Sequence, residues 1–202
     1  MVDDGTLPAE IAACRAAHRR LHERVADVDD VVFRRPSLLP GWTVGHVLAH
    51  LARNADSVVR RLDAARAGEL VEQYPGGTSG RAAAIAAGAD RPADVVVADL
   101  VRADDAVDRA FAVADDGLWA ATVRLGGGST GPARELVFRR WREVEAHHVD
   151  LGLGYGWADW PDDLVRRWLP SLLADLPERA GGHALVAWAT GRGPAPTLPP
   201  WG

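Results

Sequence analysis

Four of the chain's seven histidines and a pair of glutamates fall in two short stretches, residues 41–51 (GWTVGHVLAHL) and 141–150 (WREVEAHHVD). Both read as helix. Glu143 and His147 stand four residues apart, so they project from one helix face a turn apart, as shared coordination of one ion requires. A histidine from the other helix would complete three ligands, and three protein ligands leave a coordination position open for chemistry. Advancing 100° per residue sets His50 at the edge of an apolar stripe of Val44, Val47, Leu48, Leu51, Ala55, Val58 and Leu62, beside Asn54. His46 falls on the face turned to solvent. A site in a bundle core therefore draws on His50. On the later helix Val137, Trp141, Val144 and His148 form the apolar row, and Glu143 and His147 flank it with Arg140 and Leu151. Glu145 and His148 are a rival i, i+3 pair that spacing leaves open. The reading without a metal is a surface Glu–His ion pair beside a hydrogen-bonded core histidine.

Helical periodicity supplies the elements that must position these groups. Pro8 opens a first helix with the row Ile11, Cys14, Leu21, Val25, Val28 and Val32. Residues 34–41 break it, and Thr43 caps a second helix that ends near Gly68. A loop over 74–80 precedes a short helical piece from Arg81 and a longer one from Pro92 to about Ala114. The stretch 118–131 reads as a loop with a short hairpin. A further helix runs from 132 or 133 to about Leu151, a Gly/Trp linker covers 153–160, and Pro161 opens another helix. The tail, 191–202, reads as an extended strap. No internal repeat is present. The expected architecture is mainly α: a four-helix up-down bundle over residues 1–155 and a small C-terminal α or α+β segment over 156–202.

Composition narrows the function. Hydrophobic residues make up 48% of the 202, enough for an ordinary core. A net charge of −5 gives no electrostatic case for nucleic acid. No apolar run of about 18 residues occurs and residues 1–5 do not read as a signal peptide, so a soluble cytoplasmic protein with no membrane partner is expected. All 23 basic residues are arginine, the side chain suited to bidentate carboxylate binding. The single cysteine, Cys14, rules out an internal disulfide, and its place in an apolar row marks it as a small buried hydrophobe.

Residues 39–43 (LPGWT), 46–56 (HVLAHLARNAD) and 142–152 (REVEAHHVDLG) closely resemble the mycothiol-dependent maleylpyruvate isomerases, a branch of the DinB-like metal-binding bundles. The likeness continues through Tyr74 and Pro75 with Arg81, and from Asp159-Trp160-Pro161 to residues 188–192, so it spans nearly the whole chain. It implies a DinB-like four-helix bundle with a small C-terminal domain, and it places the family's metal triad on His50, Glu143 and His147. Two imidazoles and a carboxylate suit Zn2+ or another divalent metal. The resemblance further implies mycothiol, a low-molecular-weight thiol, as cofactor. The implied reaction converts maleylpyruvate, a small dicarboxylate, to fumarylpyruvate. A zinc-held thiolate adds to the cis alkene, the bond rotates, and the thiol leaves. Arg81 after the Gly-rich loop and Arg192 between glycines of the tail are the candidates for carboxylate contacts in catalysis. Arg81 and Asn54, one turn beyond His50, are the candidates for cofactor binding. The alternatives are a mycothiol S-transferase acting on another electrophile, or a non-enzymatic bundle that binds a metal or small ligand.

Overall fold

The computed structural model describes residues 6–198. Along the chain run α1 (Thr6–Val25), α2 (Asp30–Phe33), α3 (Val44–Arg66), α4 (Gly77–Ala89), α5 (Ala93–Ala112) and α6 (Asp116–Ala120). A hairpin of β1 (Thr122–Arg124) and β2 (Thr130–Pro132) follows, then α7 (Glu135–Asp150), α8 (Asp162–Ala180) and α9 (Gly182–Ala189). One compact unit ends at Trp157 and a second begins at Ala158 and holds α8 and α9. In the first unit α1 packs on α7, α7 on α3, α3 on α5 and α5 back on α1, a closed ring of four long helices. No described helix is long and apolar enough to cross a membrane.

Local chemistry sets the boundaries. The row expected to carry the first helix to Val32 stops at Val25. The Asp29 carboxylate accepts the Val32 N–H at 2.8 Å and caps the separate α2, which competes with continuation of α1. Thr43 caps α3 as expected, and its partner in the capping box is His46. The Thr43 hydroxyl accepts the His46 N–H, while His46 Nδ1 accepts the Thr43 N–H, each at 3.3 Å. Gly45, two residues past the cap, is required: a Cβ there would stand 2.4 Å from the Phe33 ring, which docks α2 on α3. Between α5 and β1 the sequence reading found only loop, but Asp115 caps the short α6. β1 and β2 pair antiparallel with Thr122 opposite Pro132. α4 begins at Gly77, a turn ahead of Arg81. The strap expected over 191–202 is irregular backbone through residue 198; residues 199–202, like 1–5, lie outside the described residues.

Leu21, Leu48, Leu51, Leu62, Leu100 and Leu136 fill the bundle core, all fully buried. Cys14 is buried among them, and burial pushes its thiol well above the ordinary range although the Arg140 cation opposes this. His18, one turn on, lies 3.8 Å from its sulfur, a neighbour the apolar pattern did not disclose.

The core also holds charge. Arg140, expected on the flank beside Glu143, is fully buried at the centre of the bundle. From α7 it donates to Leu51 O at 3.0 Å and Asn54 Oδ1 at 2.8 Å on α3, to His18 Nε2 at 3.2 Å on α1, and to Asp104 on α5. His22 Nε2 meets the other Asp104 oxygen at 2.9 Å. Burial alone would raise the Asp104 pKa, yet Arg140, His18 and His22 together hold it below the ordinary carboxylate range. An amphipathic wheel assigns an arginine to the surface because it cannot see partners supplied by other helices. Replacing Arg140 by Leu strands a buried carboxylate, and the expected loss is about 3–5 kcal/mol of unfolding free energy by urea denaturation. Adding Asp104→Leu should recover much of that loss. A single-variant loss below about 1 kcal/mol would contradict the central role of the pair.

Candidate metal centre

α3 and α7 bring three donor atoms to one point. His50 Nε2 lies 3.1 Å from His147 Nε2 and 3.3 Å from Glu143 Oε2, and His147 Nε2 lies 3.6 Å from the same oxygen. Among the described residues this is the one group of three ligand-type side chains close enough to share an ion. The spacing fits such an ion: ligands bound tetrahedrally at about 2.0–2.1 Å stand roughly 3.3 Å apart. The donor chemistry fits as well. Two imidazole nitrogens and a carboxylate oxygen converge, and hydrogens cannot satisfy all three contacts at once because two ring N–H groups would face each other. A divalent cation satisfies all three lone pairs.

The electrostatics differ along the triad. His50 is buried, and burial pushes its pKa down to about 4 despite the Glu143 carboxylate, so its ring is neutral at pH 7. Burial by itself would raise the Glu143 pKa; hydrogen bonds from His147 and His50 outweigh it and hold the carboxyl well below its usual range. Burial by itself would lower His147, but hydrogen bonds to Asp150 and Glu143 prevail and lift it to about 9. Asp150 Oδ2 accepts from His147 Nδ1 at 2.8 Å, which leaves Nε2 to face the triad. Asp150 follows His147 by three residues, so its place was within reach of the helical pattern, but its role was not read from it.

The other candidates separate. Arg81, on α4, reaches the site: its Nη2 is 3.3 Å from His50 Nδ1, and its guanidinium lies over the Trp42 and Tyr74 rings. Trp42 also meets the His50 ring edge-on at 5.7 Å. Asn54 is buried and turned inward, its amide oxygen bonded to Arg140. Arg192 belongs to the second unit, where its Nη1 donates to Thr190 O at 2.8 Å. His46 is committed to the capping box. The rival pair is occupied otherwise: Glu145 accepts from Arg20, Trp141 and Tyr155, and His148 stacks on Tyr155 at 3.8 Å.

A family model described as the mycothiol maleylpyruvate isomerase N-terminal domain matches residues 14–152. Two solved structures are similar: a mycothiol-dependent maleylpyruvate isomerase, and a mutant of it with one histidine replaced by alanine. Each aligns with a TM-score of 0.75 at 29% identity over 79% of this chain. The chain spans 66% of the length of those solved chains, just under two thirds. No curated protein sequence matches it. With the family model covering well over half of its residues, including all three of the converging ligand-type side chains, the chain belongs to the mycothiol maleylpyruvate isomerase N-terminal domain family.

Proposed function

We propose that this protein is a zinc- and mycothiol-dependent cis–trans isomerase acting on maleylpyruvate. The observation that carries the reading is the convergence of His50, Glu143 and His147, with the Arg81 cation beside them. Family membership and the likeness to solved isomerases support the choice of substrate and thiol. When bound, zinc would keep the thiol ionised near neutral pH, and reversible addition of that thiol across the cis alkene is what frees the bond to rotate.

The chain's own residues do the rest. His50, Glu143 and His147 would supply three ligands to the ion, so a fourth position would remain for chemistry. Asp150 accepts from His147 Nδ1 and would so hold the ring with Nε2 free to bind an ion. Arg81 receives a substrate carboxylate and opposes the negative charge that develops as the alkene accepts a nucleophile. Trp42 walls the His50 side of the site. Asn54 contributes through Arg140, which also holds the Leu51 carbonyl next to His50. Buried Cys14 takes no part.

Metal binding must displace the His147 proton. Between about pH 4, where His50 would protonate, and about pH 9, where His147 loses its proton, zinc affinity should rise about tenfold per pH unit. Titration calorimetry at pH 7 in buffers of differing ionisation enthalpy should show about one proton released per ion. The same raised pKa stabilises the metal-free fold below pH 6.5, a contribution that fades as pH climbs through about 9. His50→Ala, Glu143→Ala and His147→Ala should each bind zinc weakly, whereas His46→Ala and His148→Ala should stay loaded. A folded His46 or His148 variant that emerges metal-free beside a loaded His50→Ala protein would reassign the triad.

The reaction itself is tested by the fate of the thiol. One equivalent of mycothiol should support many turnovers of maleylpyruvate, followed by loss of substrate absorbance, and a thiol-free control should be inactive. Stoichiometric consumption with a stable thioether product would point instead to an S-transferase. Arg81→Lys should keep its zinc but lose bidentate carboxylate geometry, lowering kcat/KM by about 1.5–3 kcal/mol of transition-state stabilisation. Arg192→Lys tests the same role independently. Cys14→Ala should leave zinc content and turnover near wild type.

A further inference from the structure

Several arginines of this bundle are held by aspartates. Arg53, Arg91 and Arg102 all meet Asp99, and Arg140 meets Asp104. Their charges are neutralised where they stand. Arg81 differs: among the described residues it forms no ion pair with a carboxylate, and its contacts are with rings. Its guanidinium carbon lies 5.8 Å from the Trp42 centroid and 5.7 Å from the Tyr74 centroid. A cation held against aromatic faces is fixed in place without losing its charge to a partner anion.

The backbone that carries both rings is tied down. The Trp42 carbonyl accepts from the Ser37 N–H and hydroxyl, each at 2.9 Å, and its N–H donates to Leu39 O at 3.1 Å. The same loop is tied to the end of α7, where Leu38 N donates to Asp150 O at 2.8 Å. On the other side Arg60 donates to the carbonyls of Glu72 and Gln73, and Gly77 N donates to Tyr74 O at 3.1 Å. Gly80 has no room for a side chain, since a Cβ would sit 1.9 Å from Pro75 O. The Tyr74-Pro75 turn therefore rests directly on the first turn of α4, one residue before Arg81. Trp42 also bears on His50, so a single ring touches both the cation and a triad imidazole.

We propose that Trp42 and Tyr74 are positioning residues, a pair of rings that holds Arg81 beside the triad with its charge unspent and so fixes where a ligand carboxylate is received. This deepens the reading of Arg81 as the carboxylate receptor and rests on it. The ligand class is a small planar dicarboxylate, whose oxygens match the in-plane N–H groups of a guanidinium.

The test uses zinc-loaded protein and maleate as the probe anion, titrated calorimetrically. Trp42→Leu and Tyr74→Leu should each weaken maleate binding roughly 3- to 30-fold, the range a cation–π contact supplies, with zinc still at one per chain. Trp42→Phe and Tyr74→Phe keep a ring and should restore most of the affinity. In an Arg81→Gln background Tyr74→Leu should cost nothing further, because that ring acts only through the guanidinium. Full additivity there, zinc loss from Tyr74→Leu, or wild-type affinity in the Leu variants would overturn the proposal. If Arg81→Gln itself leaves maleate binding unchanged, the receptor reading fails as well. If Arg81→Gln weakens binding while the ring variants do not, only the clamp fails.

Discussion

The Arg140–Asp104 ion pair at the bundle centre is the constraint on which the remaining structure depends. Burying a guanidinium and a carboxylate together is costly unless every donor and acceptor is met. Here the cost is offset by ligation from all four long helices: α1 through His18, α3 through Leu51 O and Asn54, α5 through Asp104, and α7 through Arg140 itself. Apolar packing tolerates small slides between helices, whereas this network does not. Moving α7 by one residue would leave a charge unpaired in the core.

That fixed register is what the metal centre inherits. Glu143 follows Arg140 by three residues and His147 by seven, so both emerge near the same face of α7. On α3 the Leu51 carbonyl bound by Arg140 is adjacent to His50. One buried side chain thus aligns both halves of the triad to within the 3.1–3.6 Å that three ligands of one ion require. The start of α3 is pinned separately by the Thr43–His46 capping box, which occupies one of the two histidines that could otherwise compete for the metal.

Charge is handled in two ways. In the core Arg140 is neutralised by Asp104, and Asp99 on α5 gathers Arg53, Arg91 and Arg102. At the site, the His50 ring is neutral because burial dominates, while His147 retains its proton because Asp150 and Glu143 outweigh burial. The two histidines are chemically alike as residues and different as ligands, a difference set entirely by surroundings. Arg81 is surrounded by aromatic rings and keeps its charge available.

Much of this was legible in the residues. The 3.6-residue period fixes where an amphipathic helix turns its face, so the four long helices, the Thr43 cap and the placing of His50 on the buried side followed from local pattern. So did the Glu143–His147 pair, since i, i+4 residues share a face whatever the fold. Spacing alone did not choose between that pair and Glu145 with His148; the tertiary structure separates them by saturating Glu145 with Arg20, Trp141 and Tyr155. Nor could periodicity find Arg140 in the core, turn Asn54 toward it, or bring Trp42 and Tyr74 onto Arg81. Apart from Tyr74, which lies seven residues before Arg81, those contacts join residues tens of positions apart, and a local pattern carries no information about partners that only folding brings within a few ångströms.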